Sequence, residues 1–311
     1  MPTVLITGGT GLLGTALTTF LVNKGYKVTI LTRNPTEHKP DRHVQYAGWD
    51  VKRQIIDPAA IGEADHIIHL AGAGVADKRW SKKRKQEIRD SRINSGNLIV
   101  KALNETPNKV KSVVSASGIG WYGPDPIRPN PEPFKETDPP SADFLGETCR
   151  LWEDSLKPVT DLGKRMVHIR TGIVLAKEGG ALPEFMRPLR FGVATILGDG
   201  NQVCSWIHIH DIIRLYTDAI ENTEMNGAYN GVSPNPVTNK ELTLSLAKYL
   251  RGKMFISLHV PEFALKLALG EMSIEVLKSA TVSSAKTRQA AFQFAYPTLD
   301  SALQQLIGPA L

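Results

Sequence analysis

The sequence predicts an α/β fold: a doubly wound parallel sheet accompanied by a smaller, interleaved C-terminal lobe. Three observations support this prediction. Short apolar runs alternate with longer segments of helical periodicity through the first half of the chain, as they do in βαβ units. A glycine-rich turn joins the first apolar run to the first helical segment. Beyond residue 175 the alternation loosens, so the second lobe is expected to combine several late segments.

The apolar runs indicate where the strands of the sheet lie. We expect strands at 4–6, 27–32, 44–49, 66–70, 110–115 and 167–175, with a last short strand at 229–231. A proline-rich loop is expected over 124–140. Residues 203–209 alternate apolar and polar side chains, which is typical of a strand.

Helical periodicity predicts the segments between these strands. Helices are expected from Leu13 to a stop at Gly25 and over 82–103, 144–156 and 238–250. Residues 260–307 are expected to be mostly helical, with a final segment at 292–294. Asp211 is expected to cap the helix that follows residue 209.

Glycines at 8, 11 and 14 follow the first strand with the spacing G-x-x-G-x-x-G. Gly8 can turn sharply off the strand, Gly11 lets backbone amides approach a diphosphate, and Gly14 lets the helix pack close to the sheet. An anion then lies at a helix N-terminus, where unpaired amides and the helix dipole favour negative charge. The sequence therefore predicts a Rossmann-type nucleotide site formed by Gly8, Thr10, Gly11, Leu12, Leu13 and Gly14.

The end of the second strand indicates which dinucleotide binds. NAD enzymes place an acid about 20 residues past the glycines, where it binds the ribose 2′-hydroxyl. This chain has Thr32, Arg33 and Asn34 there instead. Because a guanidinium can pair with a 2′-phosphate through two hydrogen bonds, we expect NADPH to be the cofactor and to bind more tightly than NADH. The alternative is that Arg33 is a solvated surface arginine.

These signals divide the chain into two regions. Residues 1–175, together with about 210–232, are predicted to form the NADP-binding Rossmann domain. About 176–209 and 233–311 are predicted to form the substrate lobe, including a helical C-terminal domain from about residue 260.

Composition and charge exclude several functional classes. The net charge is +6, and part of the excess lies at Lys78, Arg79 and 82–85. Without interleaved aromatics, this run is interpreted as the solvated start of a helix and not as a nucleic-acid site. The two cysteines show no metal-ligand spacing and cannot form a disulfide framework. No apolar segment approaches the roughly 20 residues of a membrane helix, and a strand begins too early to leave room for a leader. We expect a cytoplasmic protein without nucleic-acid, metal or membrane partners.

Five stretches resemble the extended short-chain dehydrogenase/reductase superfamily: residues 7–14, 70–72, 115–123, 170–172 and 205–211. Within it the chain resembles the SDR39U1/YfcH-type epimerase family, often labelled NAD-dependent epimerase/dehydratase. The features of this subgroup are residues 49–50, 115–123 and 205–209, together with a tail that contains 269–272 and 292–299. This tail is similar to the subgroup's small C-terminal domain of undefined role. The resemblance implies that Leu70, Ala71 and Gly72 also contact the cofactor.

Enzymes of this superfamily usually carry a Tyr-x-x-x-Lys pair on one face of the helix after the fifth strand, where the lysine lowers the tyrosine pKa. Glu153 matches the family's glutamate, so the resemblance places Leu145 at the tyrosine position and Cys149 at the lysine position. Neither side chain supplies the usual proton or charge. A literal match at 249–253 is rejected, because Gly252 ends the helix there and the segment lies far past the fifth strand.

Ser117 is the best candidate catalytic residue. It follows the fifth strand at the sheet edge where open α/β folds bind ligands, and the resemblance implies a hydrogen bond to the substrate. Ser115 and Gly118 compete for this position because Ser117 lies one residue earlier than the usual spacing. Ser117 could instead satisfy local turn backbone. Tyr122 could supply a phenol to the substrate or be a packed aromatic. His208 could act as an acid or base or face the core.

Two hypotheses from different classes follow. In the first, the chain is an NADP(H)-dependent enzyme of oxidoreductase or epimerase type that acts on an unknown small molecule with an altered proton-transfer group. In the second, it is a non-catalytic NADP(H)-binding sensor or scaffold, which the changes at both Leu145 and Cys149 favour. The sequence is compatible with a monomer or a homodimer.

Overall fold

A sheet of eight strands forms the centre of the computed structural model, which describes residues 1–128 and 130–308. The strands of the described chain, in order, are β1 (Thr3–Thr7), β2 (Lys27–Thr32), β3 (Val44–Asp50), β4 (Ile55–Ile56), β5 (His66–His69), β6 (Ser112–Gly118), β7 (Arg165–Thr171), β8 (Ile173–Leu175), β9 (Val193–Leu197), β10 (Val203–Cys204), β11 (Trp206–His208), β12 (Gly227–Gly231), β13 (Val237–Thr238) and β14 (Ile256–Val260).

Helices cover both faces of this sheet and build the late part of the chain. They are α1 (Leu12–Asn23), α2 (Pro58–Glu63), α3 (Lys82–Glu105), α4 (Phe144–Leu156), α5 (Pro158–Asp161), α6 (Leu182–Leu189), α7 (Ile209–Glu221), α8 (Asn239–Arg251), α9 (Glu262–Leu269), α10 (Ser273–Leu277), α11 (Ala285–Gln289) and α12 (Leu299–Ile307).

The order of strands in the main sheet is β12-β7-β6-β5-β1-β2-β3-β4. The pairings are parallel apart from that of β3 with β4. The chain moves outward from β1 through β2 and β3, then crosses to β5 on the other side of β1. The direction of winding therefore reverses beside β1, where doubly wound sheets bind their ligands. The predicted α/β, Rossmann-type fold is confirmed.

Two apolar cores flank the sheet. Successive side chains of a strand point to opposite faces. Val4 of β1 therefore packs in one core with Leu17 of α1, while Leu5 packs in the other with Ile61 and Leu98 of α2 and α3. All five side chains are buried. Burial on both faces explains why the first strand is a continuous apolar run instead of an alternating one.

The late segments form a third apolar cluster. Helices α6, α8 and α12 contribute to it, and Trp206 of β11 lies fully buried within it. Short strand pairs connect these segments: β8 with β11 and β9 with β14 in parallel, and β10 with β13 in antiparallel orientation. Residues 309–311, which the sequence assigns to the same lobe, lie outside the described residues.

Several strand predictions differ from the structure. The fifth predicted strand is β6, which runs to Gly118 and not only to residue 115. The strand predicted at 167–175 divides into β7 and β8, because the Ile173 amide donates to the Ser205 carbonyl at 2.9 Å and the chain leaves the main sheet. The sequence does not predict β9 or β14. Pro129, within the expected loop at 124–140, lies outside the described residues.

Asp211 and Arg84 are both buried. The sequence predicts instead that Asp211 caps a helix and that Arg84 belongs to a solvated basic run. The N-cap of α7 is His208 and not Asp211, since His208 Nδ1 accepts a hydrogen bond from the His210 amide. Asp211 is fully buried and accepts hydrogen bonds from the backbone of residues 295 and 296. Arg84, in the basic run at the start of α3, is also buried and pairs with Glu87. That run is therefore only partly solvated.

Candidate functional site

The turn between β1 and α1 has the geometry that its glycines predict. Gly8 adopts a φ of 70°, in the left-handed region that L side chains rarely occupy. A Cβ at Gly14 would overlap the Gly8 carbonyl oxygen, so only glycine permits this approach of helix to turn. The Gly11 amide donates to the Gly8 carbonyl at 3.1 Å and closes the turn.

The turn is open on the side of Gly11. Thr10 and Gly11 are exposed, and Leu12 begins α1 without a side-chain cap on its amides. Within the described residues, a Cβ built at Gly11 would meet only the Gly8 carbonyl oxygen, at 3.4 Å. The first amides of a helix are unpaired donors, and the helix dipole adds positive potential. The turn therefore has exposed backbone donors and open space at the start of α1, which is the geometry expected of an anion site.

The ends of the two strands beside β1 lie next to this turn. In the parallel register Thr7 pairs with Leu31, so β2 ends beside the start of the turn, and Arg33, the residue after β2, is exposed. On the other side, the Thr7 hydroxyl accepts hydrogen bonds from the amides of Leu70 and Ala71, each at 3.1 Å. The structure thus brings together the residues that the sequence assigns to the cofactor.

Ser117 lies at the carboxyl end of β6 and is held by a buried ion pair. Its hydroxyl donates to Glu153 Oε1 at 2.7 Å. Arg170 of β7 donates to both oxygens of the same carboxylate, from Nε and from Nη2, at 2.9 Å each. The competing residue Ser115 is fully buried and donates to the Ala116 carbonyl. Ser117 is also buried, at 5% exposure, but it lies nearer than Ser115 to the carboxyl end of β6.

Tyr122 is fully buried beside the same network. Its hydroxyl donates to Asn230 Oδ1 at 2.7 Å and accepts from Arg170 Nη1 at 3.2 Å. Burial raises the pKa of Tyr122 to about 12 despite the nearby guanidinium. This phenol therefore does not exchange protons near neutrality, and its contacts are those of a packed aromatic.

The residues at the family's tyrosine and lysine positions contact two glycines at and just after the end of β6. Leu145 packs against Gly120, where a Cβ would be 3.0 Å from that of Leu145. Cys149 Sγ donates to the Gly118 carbonyl at 3.6 Å, and burial raises the pKa of this thiol to about 11. At neutral pH neither side chain carries a charge or transfers a proton.

His208 does not point into this region. Its ring is 1% exposed, and its Nε2 lies 2.9 Å from Gln305 Oε1. Burial lowers the pKa of His208, so its ring is neutral at physiological pH. These contacts support the core alternative for His208.

Sequence reasoning missed one charged residue near the strand ends. Arg92 of α3 is buried beside Gly72 and stacks its guanidinium carbon 4.9 Å from the Trp152 ring centre. A signal was available, because Ile88, Arg92, Ser95 and Ile99 recur at helical spacing and all four are buried. Because an arginine in a basic helix is normally solvated, this spacing did not lead to a prediction that Arg92 is buried.

Metal ligation and membrane insertion have no structural support in residues 1–128 and 130–308. Within those ranges, no three His, Cys, Asp or Glu side chains are grouped closely enough to hold a metal ion. None of the helices there combines the length and apolarity needed to cross a bilayer.

Comparison with known families gives two matches along the chain. A family model described as the NAD dependent epimerase/dehydratase family matches residues 4–230, and a domain of unknown function, DUF1731, matches residues 260–306. Epimerase family protein YfhF of Bacillus subtilis is 34% identical over 304 residues, which cover 98% of this chain and 97% of the relative. Human epimerase family protein SDR39U1 is 30% identical over 307 residues, covering 98% and 99%.

Solved structures give the same assignment. Human SDR39U1 isoform 2, crystallised with NADPH, matches with a TM-score of 0.85 at 29% identity and covers 98% of this chain and 99% of that one. A nucleoside-diphosphate sugar epimerase from Corynebacterium glutamicum matches at 0.77 and 31% identity, covering 99% of this chain and 59% of that one. MoeE5 in complex with UDP-glucose and NAD, at 20% identity and a TM-score of 0.77, shares the fold. The chain therefore belongs to the NAD dependent epimerase/dehydratase family, in the SDR39U1-type branch of the extended short-chain dehydrogenases/reductases that carries a C-terminal DUF1731 domain.

Proposed function

We propose that the chain binds NADPH at the turn between β1 and α1 and transfers its hydride to a small-molecule substrate. The main observation in support of this proposal is the open side of the turn at Gly11, beside the uncapped N-terminus of α1. That geometry suits a dinucleotide diphosphate. The NADPH bound by human SDR39U1, a structure that matches 98% of this chain, supports the choice of dinucleotide.

Different residues around the turn bind different parts of the dinucleotide. In this proposal the amides of Leu12 and Leu13 bind the diphosphate, and the Arg33 guanidinium binds the 2′-phosphate. Leu70, Ala71 and Gly72 border the path of the dinucleotide, and Thr7 fixes the backbone of Leu70 and Ala71. When bound, NADPH supplies the hydride. The protein contributes position, orientation and a substrate contact.

Ser117 is our candidate for that substrate contact. Its proton is directed to Glu153, but a serine oxygen has lone pairs that can accept a hydrogen bond from a substrate hydroxyl. We do not assign the same role to Tyr122, because its hydroxyl already donates to Asn230 and accepts from Arg170. A water or a substrate group would then supply the proton that accompanies hydride transfer.

A second candidate function is that of a non-catalytic NADPH-binding sensor or scaffold. The observation that favours it is the chemistry at Leu145 and Cys149, which provide neither an acid nor a cation at the usual position. Under this alternative the chain retains the dinucleotide site and binds a partner only when that site is filled.

Turnover measurements separate the two candidates. Carbonyl compounds and nucleotide sugars are mixed with the protein and NADPH, and loss of the nicotinamide absorbance is followed. Saturable turnover that is abolished in Ser117→Ala and kept in Ser115→Ala supports the enzyme. Tight NADPH binding without turnover across a broad panel supports the sensor. Absence of NADPH binding contradicts both.

A further inference from the structure

Arg92 is a buried arginine near the end of β5 whose neighbours in the described chain include no carboxylate partner. It is 9% exposed, and its Nη1 donates to the carbonyl oxygens of Ala73 at 3.0 Å and Ile88 at 2.8 Å. The titratable groups that interact with its charge are Cys149, Arg84 and His69, none of them a carboxylate. Proteins rarely bury a guanidinium without a carboxylate or another anion. Arg170, buried to a similar degree, has Glu153.

Arg92 lies beside the loop at Gly72 and packs against α4, the helix that carries Cys149. A Cβ at Gly72 would lie 3.1 Å from the Arg92 Cζ, and Gly72 itself is exposed. The guanidinium stacks on Trp152, which follows Cys149 by three residues and so shares its face of α4. Burial raises the pKa of the Cys149 thiol, and the positive charge of Arg92 acts against that rise. The charge of Arg92 therefore lies beside the open loop at Gly72 and against the face of α4 that also carries Cys149.

The sheet order indicates which part of a dinucleotide reaches Arg92. Arg33 follows β2 on one side of β1, whereas β5 and β6 lie on the other side. A dinucleotide that crosses the glycine turn with its 2′-phosphate at Arg33 extends its nicotinamide half toward the end of β5. That half carries a ribose with two hydroxyl oxygens as acceptors. The donors on Arg92 Nε and Nη2 are not used by Ala73 or Ile88.

We propose that Arg92 supplies, from α3, the positive charge that Cys149 does not supply from α4, and that it binds a ribose oxygen in the nicotinamide half of NADPH. This inference rests on the proposed NADPH site. It makes Arg92 a binding residue of that site and explains how a chain without the usual lysine could still orient the nicotinamide.

The test compares two ligands that share the Arg33 end of the site. NADPH and 2′,5′-ADP are titrated calorimetrically against wild type, Arg92→Gln and Arg92→Lys, because 2′,5′-ADP lacks the nicotinamide ribose. Arg92→Gln should weaken NADPH binding about tenfold or more, the size expected for losing a charge-assisted hydrogen bond. It should leave 2′,5′-ADP within about twofold, since the two ends of the site are independent. Arg89→Gln, on the exposed face of the same helix, is the matched control and should change neither affinity.

A rescue experiment tests whether a lysine at position 149 can replace the positive charge of Arg92. Adding Cys149→Lys to Arg92→Gln should restore most of the NADPH affinity, because the charge returns from α4. Thermal unfolding without ligand shows whether each variant is folded. If Arg92→Gln does not fold, the affinities for NADPH and 2′,5′-ADP are compared in Arg92→Lys instead.

Two outcomes would overturn the inference while leaving the NADPH site intact. Parallel losses for NADPH and 2′,5′-ADP would mean that Arg92 only anchors the loop at residues 72–74. Unchanged NADPH affinity in a folded Arg92→Gln would mean that it contacts no ligand. Wild-type protein that binds neither ligand would instead refute the proposed function itself.

Discussion

Arg170 and Glu153 form a buried two-point ion pair in which both carboxylate oxygens accept hydrogen bonds at 2.9 Å. Their side chains are 3% and 10% exposed. Arg170 belongs to β7 and Glu153 to α4, so the pair fixes the helix that carries Leu145 and Cys149 against the sheet. The glutamate that the family pattern places on this helix is therefore a structural anchor here, and it also positions Ser117.

Removal of the Glu153 carboxylate should strongly destabilise the protein. Glu153→Ala leaves the Arg170 guanidinium buried without its partner, and breaking such a pair costs about 3–5 kcal/mol of unfolding free energy. Urea denaturation measures the loss. Asp154→Ala is the matched control, because its carboxylate pairs at the surface with Arg150 and Lys157 and should cost about 1 kcal/mol or less. Similar losses in both variants would show that the buried pair stabilises the protein no more than a surface ion pair does.

Gly11→Ala should separate ligand binding from folding. The residue has φ −82° and an open side, so an alanine fits the backbone and should leave the melting temperature nearly unchanged. The added methyl occupies the space through which a diphosphate approaches the amides, and NADPH affinity should fall by about tenfold or more. Calorimetric titration and thermal unfolding of the same sample give both values. Undiminished affinity would show that the ligand does not lie over Gly11.

Arg33→Ala should reduce the preference for NADPH over NADH. A guanidinium paired with the 2′-phosphate contributes about tenfold or more to NADPH affinity and nothing to NADH affinity. Titration of both nucleotides against wild type and variant measures the ratio. Arg42→Ala serves as the control, since this exposed arginine precedes β3 at the opposite end of the sheet. Equal affinities for the two nucleotides in the wild type would contradict the assignment.

Stability should decrease as the pH falls below 6.5, because His69 and His168 are buried in the neutral form. Burial lowers the pKa of His69 from 6.5 to about 3 and that of His168 from 6.5 to about 4. Between these values and 6.5 the unfolded chain binds protons that the folded chain does not, so each histidine costs about 1.4 kcal/mol per pH unit. Urea denaturation at pH 7 and pH 5 measures the loss.

His168→Gln tests that interpretation. Removal of one titrating group should make the stability difference between pH 7 and pH 5 smaller by about 2 kcal/mol. His259→Gln, at an exposed strand position, should retain the wild-type difference. If His168→Gln kept it as well, the acid sensitivity would have another origin.

Contiguous sequence signals were sufficient to find the nucleotide turn. The apolar run at 4–6, the three glycines and the helix after them lie within one short segment, and the local backbone requires glycine at Gly8 and Gly14. The alternation of strands and helices likewise gave the doubly wound sheet. The chain's departure from the sheet after Thr171 was not predicted, because the Ser205 carbonyl that captures the next segment is distant in sequence.

The network around the substrate side depends on pairs that sequence spacing does not reveal. Ser117, Glu153 and Arg170 come from β6, α4 and β7, and only the fold brings their side chains together. Tyr122 contacts Asn230, which is more distant still. For this reason the sequence could nominate Ser117 and Tyr122 by position but could not distinguish a substrate contact from a buried structural one.

The most direct test of the account is a crystal structure of the wild-type protein with NADPH. The account predicts the diphosphate within hydrogen-bonding distance of the Leu12 and Leu13 amides, over Gly11, with the 2′-phosphate at Arg33. NADPH bound anywhere else, or a turn closed by protein side chains at saturating nucleotide, would contradict it.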